Sequence, residues 1–156
     1  MQAQSVEAAQ WWARPRGETN ATWVSQYQKS LKARHRDVIV DAVKGLPGVT
    51  SVLEVGCHCG PNLIRLATDI PTLEQLSGVD VNPDAINAGQ RWAASLGLSE
   101  RIEFTAGGLL ETMDHLPDGC VDVLLSCYAL AYIAPGDLDA VLFEMGRLAT
   151  RAVILA

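Results

Sequence analysis

No stretch of this 156-residue chain approaches the roughly 20 consecutive apolar residues that a membrane-spanning helix requires. The opening segment, MQAQSVEAAQWW, has no basic patch followed by an apolar run, so it does not read as a secretory signal, and the expected compartment is the cytoplasm. Charged residues make up only 19% of the chain, and no basic stripe interleaved with aromatics runs through its main body, which argues against nucleic acid as a partner. Internal repeats and low-complexity segments are absent. What is present is apolar content of just under half, enough for one domain with a sizeable core.

Charge is unevenly spread. Residues 1–50 carry seven Lys/Arg against four Asp/Glu, a balance of +3; residues 51–156 carry five against fourteen, a balance of −9. The basic run LKARHR at 31–36 reads as a solvated helix face, and the sharper alternative is a rim that attracts an anionic substrate. Four cysteines stand at 57, 59, 120 and 127. Cys57 and Cys59 flank His58, but no second Cys or His cluster completes a tetrahedral set, so no metal is expected. Small buried thiols, unpaired in a reducing compartment, are the plainer reading.

The richest segment is VLEVGCHCGPN at 52–62. Val52, Leu53 and Val55 make a strand with Glu54 embedded in it, Gly56 and Gly60 bracket a turn, and Pro61 suits the first turn of a helix. A strand, a glycine turn and a helix N-terminus bring backbone N–H groups to one point at the carboxyl edge of a sheet, where α/β proteins hold nucleotide-like ligands. Elsewhere, strands are expected at 51–55, 76–81, 101–106, 121–128 and 152–156, and helices at 61–67, 83–96, 109–116 and 137–148. Asn82 is placed to cap the second of these helices. Upstream, Tyr27, Leu31, Val38, Ile39, Ala42, Val43 and Leu46 recur at helical spacing, so residues 25–46 read as a helix ending at the Leu46-Pro47-Gly48 turn. The fold class is therefore α/β: a doubly wound, parallel sheet of order 3-2-1-4-5 with helices on both faces. Residues 1–46 form an N-terminal helical cap and residues 47–156 the single main domain.

Two rival loop patterns fail. GxxxxGK[ST] needs a Lys and a Ser or Thr after Gly60, and GxGxxG needs glycines where His58 and Pro61 stand. The pattern [D/E]xGxGxG is met by Glu54, Gly56 and Gly60, with His58 in place of the middle glycine. On LEVGCHCGPNLIRLA and GVDVNPDAI, the chain from about residue 50 onward resembles the class I S-adenosylmethionine-dependent methyltransferases. A third match is VDVLLSCYALAYI, similar to the family's segment at the methyl-transfer site.

That resemblance implies a Rossmann-like fold, S-adenosylmethionine as cofactor and methyl transfer to a small-molecule acceptor. The alternative is a non-catalytic S-adenosylmethionine-binding or partner subunit. It also implies site residues. Gly56, Cys57, His58 and Gly60 would line the methionine moiety, with Asn62 adding a polar contact and Glu54 as the motif's acid. Asp80 would hold the ribose, at the spacing from Gly60 that a ribose-binding carboxylate one crossover later requires. Val81 would pack on the adenine, and Gly107, Gly108 and Leu109 would lie near its edge. Ser126, Cys127 and Tyr128 would face the sulfonium, and Tyr27 would close over the ligand. No catalytic residue is assigned; Tyr128, Tyr132 and His35 are the groups available if an acceptor must lose a proton.

Each site residue also has a plainer reading. Glu54 could be a buried acid bonded to backbone N–H groups of the loop, Asp80 a helix-capping acid, and His58 a loop residue with a satisfied imidazole. Trp11, Trp12 and Trp23 read as packing the cap onto the sheet, or as an aromatic lid. The departures from the family are His58 for glycine, Gly108 where an acid often follows the third strand, and Tyr132 for a common histidine. The family's sheet also usually continues past a fifth strand. The apolar AVILA at 152–156 is thus expected as an open edge, covered by another chain (a second copy included), by the N-terminal segment or by further residues.

Overall fold

The structure, a computed structural model, describes residues 10–14 and 18–156, with residues 18–20 described by their backbone alone. The cap as expected over 1–46 therefore lies partly outside the described residues. Two helices begin the main part, α1 (Glu18–Lys29) and α2 (Arg34–Lys44). The sheet and its helices follow in alternation: β1 (Ser51–Val55), α3 (Pro61–Asp69), β2 (Gln75–Asp80), α4 (Pro83–Ser95), β3 (Ile102–Ala106), α5 (Leu109–Asp114), β4 (Val121–Ser126), α6 (Leu138–Leu148) and β5 (Ala149–Leu155). A short 3-10 helix, Ala129–Tyr132, lies between β4 and α6. All five strands are parallel, in the order β3-β2-β1-β4-β5. That is the expected order, with the switch point between β1 and β4. No helix among the described residues is long and apolar enough to cross a membrane.

The strands are apolar because the sheet is covered on both sides. Alternate residues of β1 point to opposite faces. Val52 joins Ile39, Val43, Leu63, Ile64, Ile86 and Trp92 in one buried cluster, beneath α2, α3 and α4. Leu53 and Val55 join Met113, Val141, Met145 and Leu148 in the other, beneath α5 and α6. Glu54 shares the parity of Val52 and so faces the helical layer that carries the cap.

Four expectations need correction. The helix expected at 25–46 is two helices, broken at 30–33. The Ser30 hydroxyl donates to the Tyr27 carbonyl, competing with the helical backbone, and the Ser30 carbonyl accepts from Arg36 Nε at 3.0 Å. The basic run 31–36 is not wholly a solvated face: Arg36 is only 3% exposed. The fourth strand ends at Ser126 rather than 128, because Tyr128 takes a left-handed conformation that turns the chain into the 3-10 helix. β5 also starts earlier than expected, at Ala149, immediately after α6. It forms one edge of the sheet, with Leu155 54% exposed, and no described strand pairs with its outer side.

Gly60 is where the turn depends most on glycine. Its φ is +68°, and a Cβ there would collide with the buried ring of Phe104. Gly60→Ala is expected to lower stability by about 2–4 kcal/mol, from left-handed backbone strain plus overpacking. Urea denaturation of the two proteins measures it, and a midpoint unchanged from wild type would show that the turn tolerates a side chain.

Candidate functional site

The loop after β1 is held by the neighbouring strand. The N–H groups of Gly56 and Cys57 both donate to the Val79 carbonyl, and the Gly60 N–H closes a turn onto the Cys57 carbonyl. Asp80, at the end of β2, ties the loop to the next helix. Its Oδ2 accepts from the His58 N–H at 2.8 Å and its Oδ1 from the Asn82 N–H at 2.9 Å. Asn82 in turn caps α4, its Oδ1 accepting from the N–H groups of Asp84 and Ala85. The plain reading of Asp80 as a structural acid thus has substance, and burial still raises its pKa despite the two backbone donors.

Beneath the loop lies a buried polar chain that sequence reasoning missed. Arg36 Nη1 donates to Asn62 Oδ1, and Asn62 Nδ2 donates to Glu54 Oε1 at 2.6 Å. Arg36 is anchored further by Ser30, through its carbonyl and its hydroxyl. Glu54 is therefore bonded to a side chain, not to backbone N–H groups of the loop as the plain reading had it, and its Oε2 has no partner. Burial pushes its carboxyl up to about 8, opposed by the Asn62 hydrogen bond and by Arg36, so the acid is largely protonated at neutral pH. The signal available in the sequence was a single arginine on the apolar side of an otherwise amphipathic helix, beside Ile39, Val40 and Val43.

A cavity of about 540 Å³ opens at the carboxyl edge of the sheet. Of the expected site residues, it is lined by Tyr27, Gly56, His58, Asp80, Val81, Gly108, Leu109, Cys127 and Tyr128. Glu54, Cys57, Gly60, Asn62 and Ser126 do not line it; all five are buried behind its wall. Gly107 is likewise off the wall, its N–H donating to the Asp80 carbonyl. His35 is exposed on α2 and away from the cavity. The wall also includes residues that sequence reasoning left unassigned: Leu110 and Glu111 of α5, Ala129, Ala131 and Ile133 around the 3-10 helix, and Asp137 and Val141 at the start of α6. These sit on helix ends, where apolar spacing alone does not distinguish a cavity wall from core.

Aromatic rings close one side. Tyr27 lies 4.9 Å from the His58 ring and Trp23 6.0 Å from it, and Trp12, itself on the cavity wall, meets Tyr132 edge-on at 5.0 Å. Trp11, Trp12 and Trp23 also contact one another, so the tryptophans cluster at the cavity mouth. His58 is 7% exposed at φ +51°, and neither ring nitrogen has a hydrogen-bond partner. The expectation of a satisfied imidazole is thus overturned. Burial also drives its pKa down to about 4, so the ring is neutral. The thiols are neutral too: Cys57 is pushed well above its ordinary value and Cys59 up to about 12, both chiefly by burial. Among the described residues no lysine or arginine lines the cavity, whereas Asp80, Glu111 and Asp137 do. Such a chamber suits a ligand with hydroxyl groups for Asp80, a flat ring for the apolar wall and a reacting centre kept from water.

Comparison with known proteins now bears on this geometry. A family described as "Methyltransferase domain" matches residues 52–151. Ajmaline N-methyltransferase of Rauvolfia serpentina is 28% identical over 99 residues, covering 64% of this chain and 32% of that enzyme. This chain thus spans about a third of that relative's length. Among solved structures, a SAM dependent methyltransferase from Aquifex aeolicus has a TM-score of 0.65 at 20% identity, covering 84% of this chain and 71% of that one. A chain from the complex between the Haloferax volcanii Trm112 methyltransferase activator and a methyltransferase has a TM-score of 0.62 at 22% identity, over 83% and 53%.

Proposed function

The chain belongs to the methyltransferase-domain family over residues 52–151, and from that premise we propose that it is an S-adenosylmethionine-dependent methyltransferase acting on a small, apolar acceptor. The observation that carries this reading is the cavity at the β1/β4 switch point. It has Asp80 at the end of β2 and the glycine loop at its back. The side chains present fit the cofactor. Asp80 would hold the ribose hydroxyls, Val81 and Leu109 would pack on the adenine, and Gly56 and His58 of the loop would meet the amino-acid end. When bound, the cofactor supplies a methyl group activated on a sulfonium.

What this chain contributes is alignment and dryness. Transfer of a methyl to a nucleophile depends on in-line positioning more than on an acid or base. The 3-10 helix and Ile133 after it, with Trp12 packed edge-on against Tyr132, give the cavity an apolar wall on this side. Tyr128 and Tyr132 carry hydroxyls on that wall that can accept a hydrogen bond from an N–H or O–H of the acceptor and so orient it. The acidic side chains on the described wall, with no lysine or arginine among the described lining residues, favour a neutral or amine-bearing acceptor. No residue of the basic run 31–36 lines the cavity, so that run forms no rim for an anionic substrate there.

A non-catalytic S-adenosylmethionine-binding subunit is the second reading. No described strand lies on the outer edge of β5, where a partner chain, a second copy or further chain would pair. Calorimetric titration with S-adenosylmethionine, S-adenosylhomocysteine and NAD is expected to give saturable binding of the first two alone, and turnover on a panel of apolar amines and phenols. No heat from either at millimolar concentration would end both readings. Binding with no product on any acceptor would move the assignment to the subunit.

A further inference from the structure

His58 is the cavity residue whose local chemistry is least explained by folding. The residue is only 7% exposed, yet both ring nitrogens lack a hydrogen-bond partner. An unsatisfied buried polar group costs roughly 1–3 kcal/mol, and a left-handed non-glycine backbone adds to that. An apolar side chain would pack against Tyr27 and Trp23 without the first cost, and a glycine, as at Gly56 and Gly60 on either side, would avoid the second. A hydrogen-bonding ring held on a cavity wall under both penalties points to a ligand that satisfies it.

The charge of the wall narrows which ligand group that is. Facing the cavity are the carboxylates of Asp80, Glu111 and Asp137, the hydroxyls of Tyr27, Tyr128 and Tyr132, and the thiol of Cys127. Behind the loop stand the acid of Glu54 and the thiols of Cys57 and Cys59. Arg36 lies 6.0 Å from the Tyr27 ring, but its guanidinium is buried and engaged by Ser30 and Asn62. Among the described residues that line the cavity, His58 is the one side chain able to become a cation. S-adenosylmethionine carries one anionic group, the carboxylate of its amino-acid tail.

Resting on the cofactor assignment above, we propose that His58 is the contact that captures this carboxylate, with a ring N–H donating to it, and so selects ligands that carry the amino-acid tail. The ring is neutral in the free protein because burial disfavours the charged form. A bound carboxylate favours the imidazolium, so binding takes up a proton. The sign follows from linkage. The ring's pKa rises from about 4 in the free protein to a higher value in the complex. Affinity for the tailed ligand is therefore greatest at the acid end of that interval, and it falls as pH rises through the pKa of the complex.

The test compares S-adenosylhomocysteine with 5′-methylthioadenosine, which lacks the tail, by calorimetry on the full chain at pH 5.5 and 8.5. For wild type, S-adenosylhomocysteine is expected to bind at least about tenfold more tightly than 5′-methylthioadenosine at pH 5.5. That advantage should shrink several-fold at pH 8.5, while 5′-methylthioadenosine stays flat. His58→Gly is expected to lose most of the advantage and all of its pH dependence. His58→Asn, which tolerates the left-handed backbone and can donate an N–H but cannot become a cation, should keep part of the advantage with a flat profile. Thermal unfolding of both variants checks that each is folded. A flat wild-type profile together with equal or tighter S-adenosylhomocysteine binding by His58→Gly would overturn the proposal and show that the imidazole merely crowds the loop. Failure of both ligands to bind wild type would instead remove the cofactor assignment itself, and this inference with it.

Discussion

Replacing Glu54 with Gln is expected to abolish a loss of stability that the wild-type protein suffers as pH rises from about 4.5 to about 8. Glu54 is 1% exposed, and its carboxyl is raised from 4.5 to about 8, first by burial. The sign is that of a group held protonated by the fold. Its stabilising contribution is complete below the unfolded value near 4.5 and declines through the interval. By pH 8 and above it is lost, because the unfolded chain gains the ionised form there and the folded one resists it. The size of the loss is on the order of 4 kcal/mol for a fully buried acid shifted this far. Glutamine keeps the carbonyl oxygen that accepts from Asn62 Nδ2 and has no proton to lose. Urea denaturation at pH 5 and pH 9 should therefore give nearly equal stabilities at pH 5, and a variant more stable than wild type by a few kcal/mol at pH 9. Parallel pH profiles for the two proteins would show that Glu54 is ionised in the fold, and that Arg36 and Asn62 compensate its charge.

The second large effect is expected at Asp80. Asp80→Ala removes the acceptor of the His58 N–H and of the Asn82 N–H at once, leaving two buried donors unsatisfied at the hinge between the glycine loop and α4. A destabilisation of about 2–4 kcal/mol follows. Loss of the carboxylate on the cavity wall should also weaken S-adenosylhomocysteine by roughly 100-fold or more, because the ribose contact and the loop geometry disappear together. Asp80→Asn separates the two roles. Its single oxygen can hold one backbone donor, so it should recover part of the stability while binding stays weak. Calorimetry and denaturation on the same preparations provide both readouts. Unimpaired binding in a folded Asp80→Ala protein would confine this acid to the capping role.

How far the sequence could be read depended on whether an element's partners are near in the chain. β1, the glycine turn and the Pro61 helix start are local chemistry, and the structure has them at 51–55, 56–60 and 61. Asn82 with Pro83 likewise marked the start of α4, one residue after the cap. The break at 30–33 escaped because it depends on Arg36 reaching back to the Ser30 carbonyl while its other end meets Asn62, 26 residues away. The same contact turned an arginine read as solvated into one of the most buried polar residues. Ser126, expected to face the ligand, is buried and does not line the cavity, since the chain turns at Tyr128.

By itself the sequence determined the α/β alternation, the strand order and the loop that marks the ligand's place. Hydrophobic period, turn residues and right-handed crossovers act over a few residues or through general topology. Only the tertiary structure decided that Glu54 is buried, raised by that burial and bonded to Asn62, that Arg36 supports it, and that five of the expected contacts stand behind the wall rather than on it. It also decided that His58 is buried without a partner. A pKa and an unmet hydrogen bond depend on what distant segments bring to within a few ångströms, and on how much water they exclude, and neither is written in a residue's neighbours along the chain.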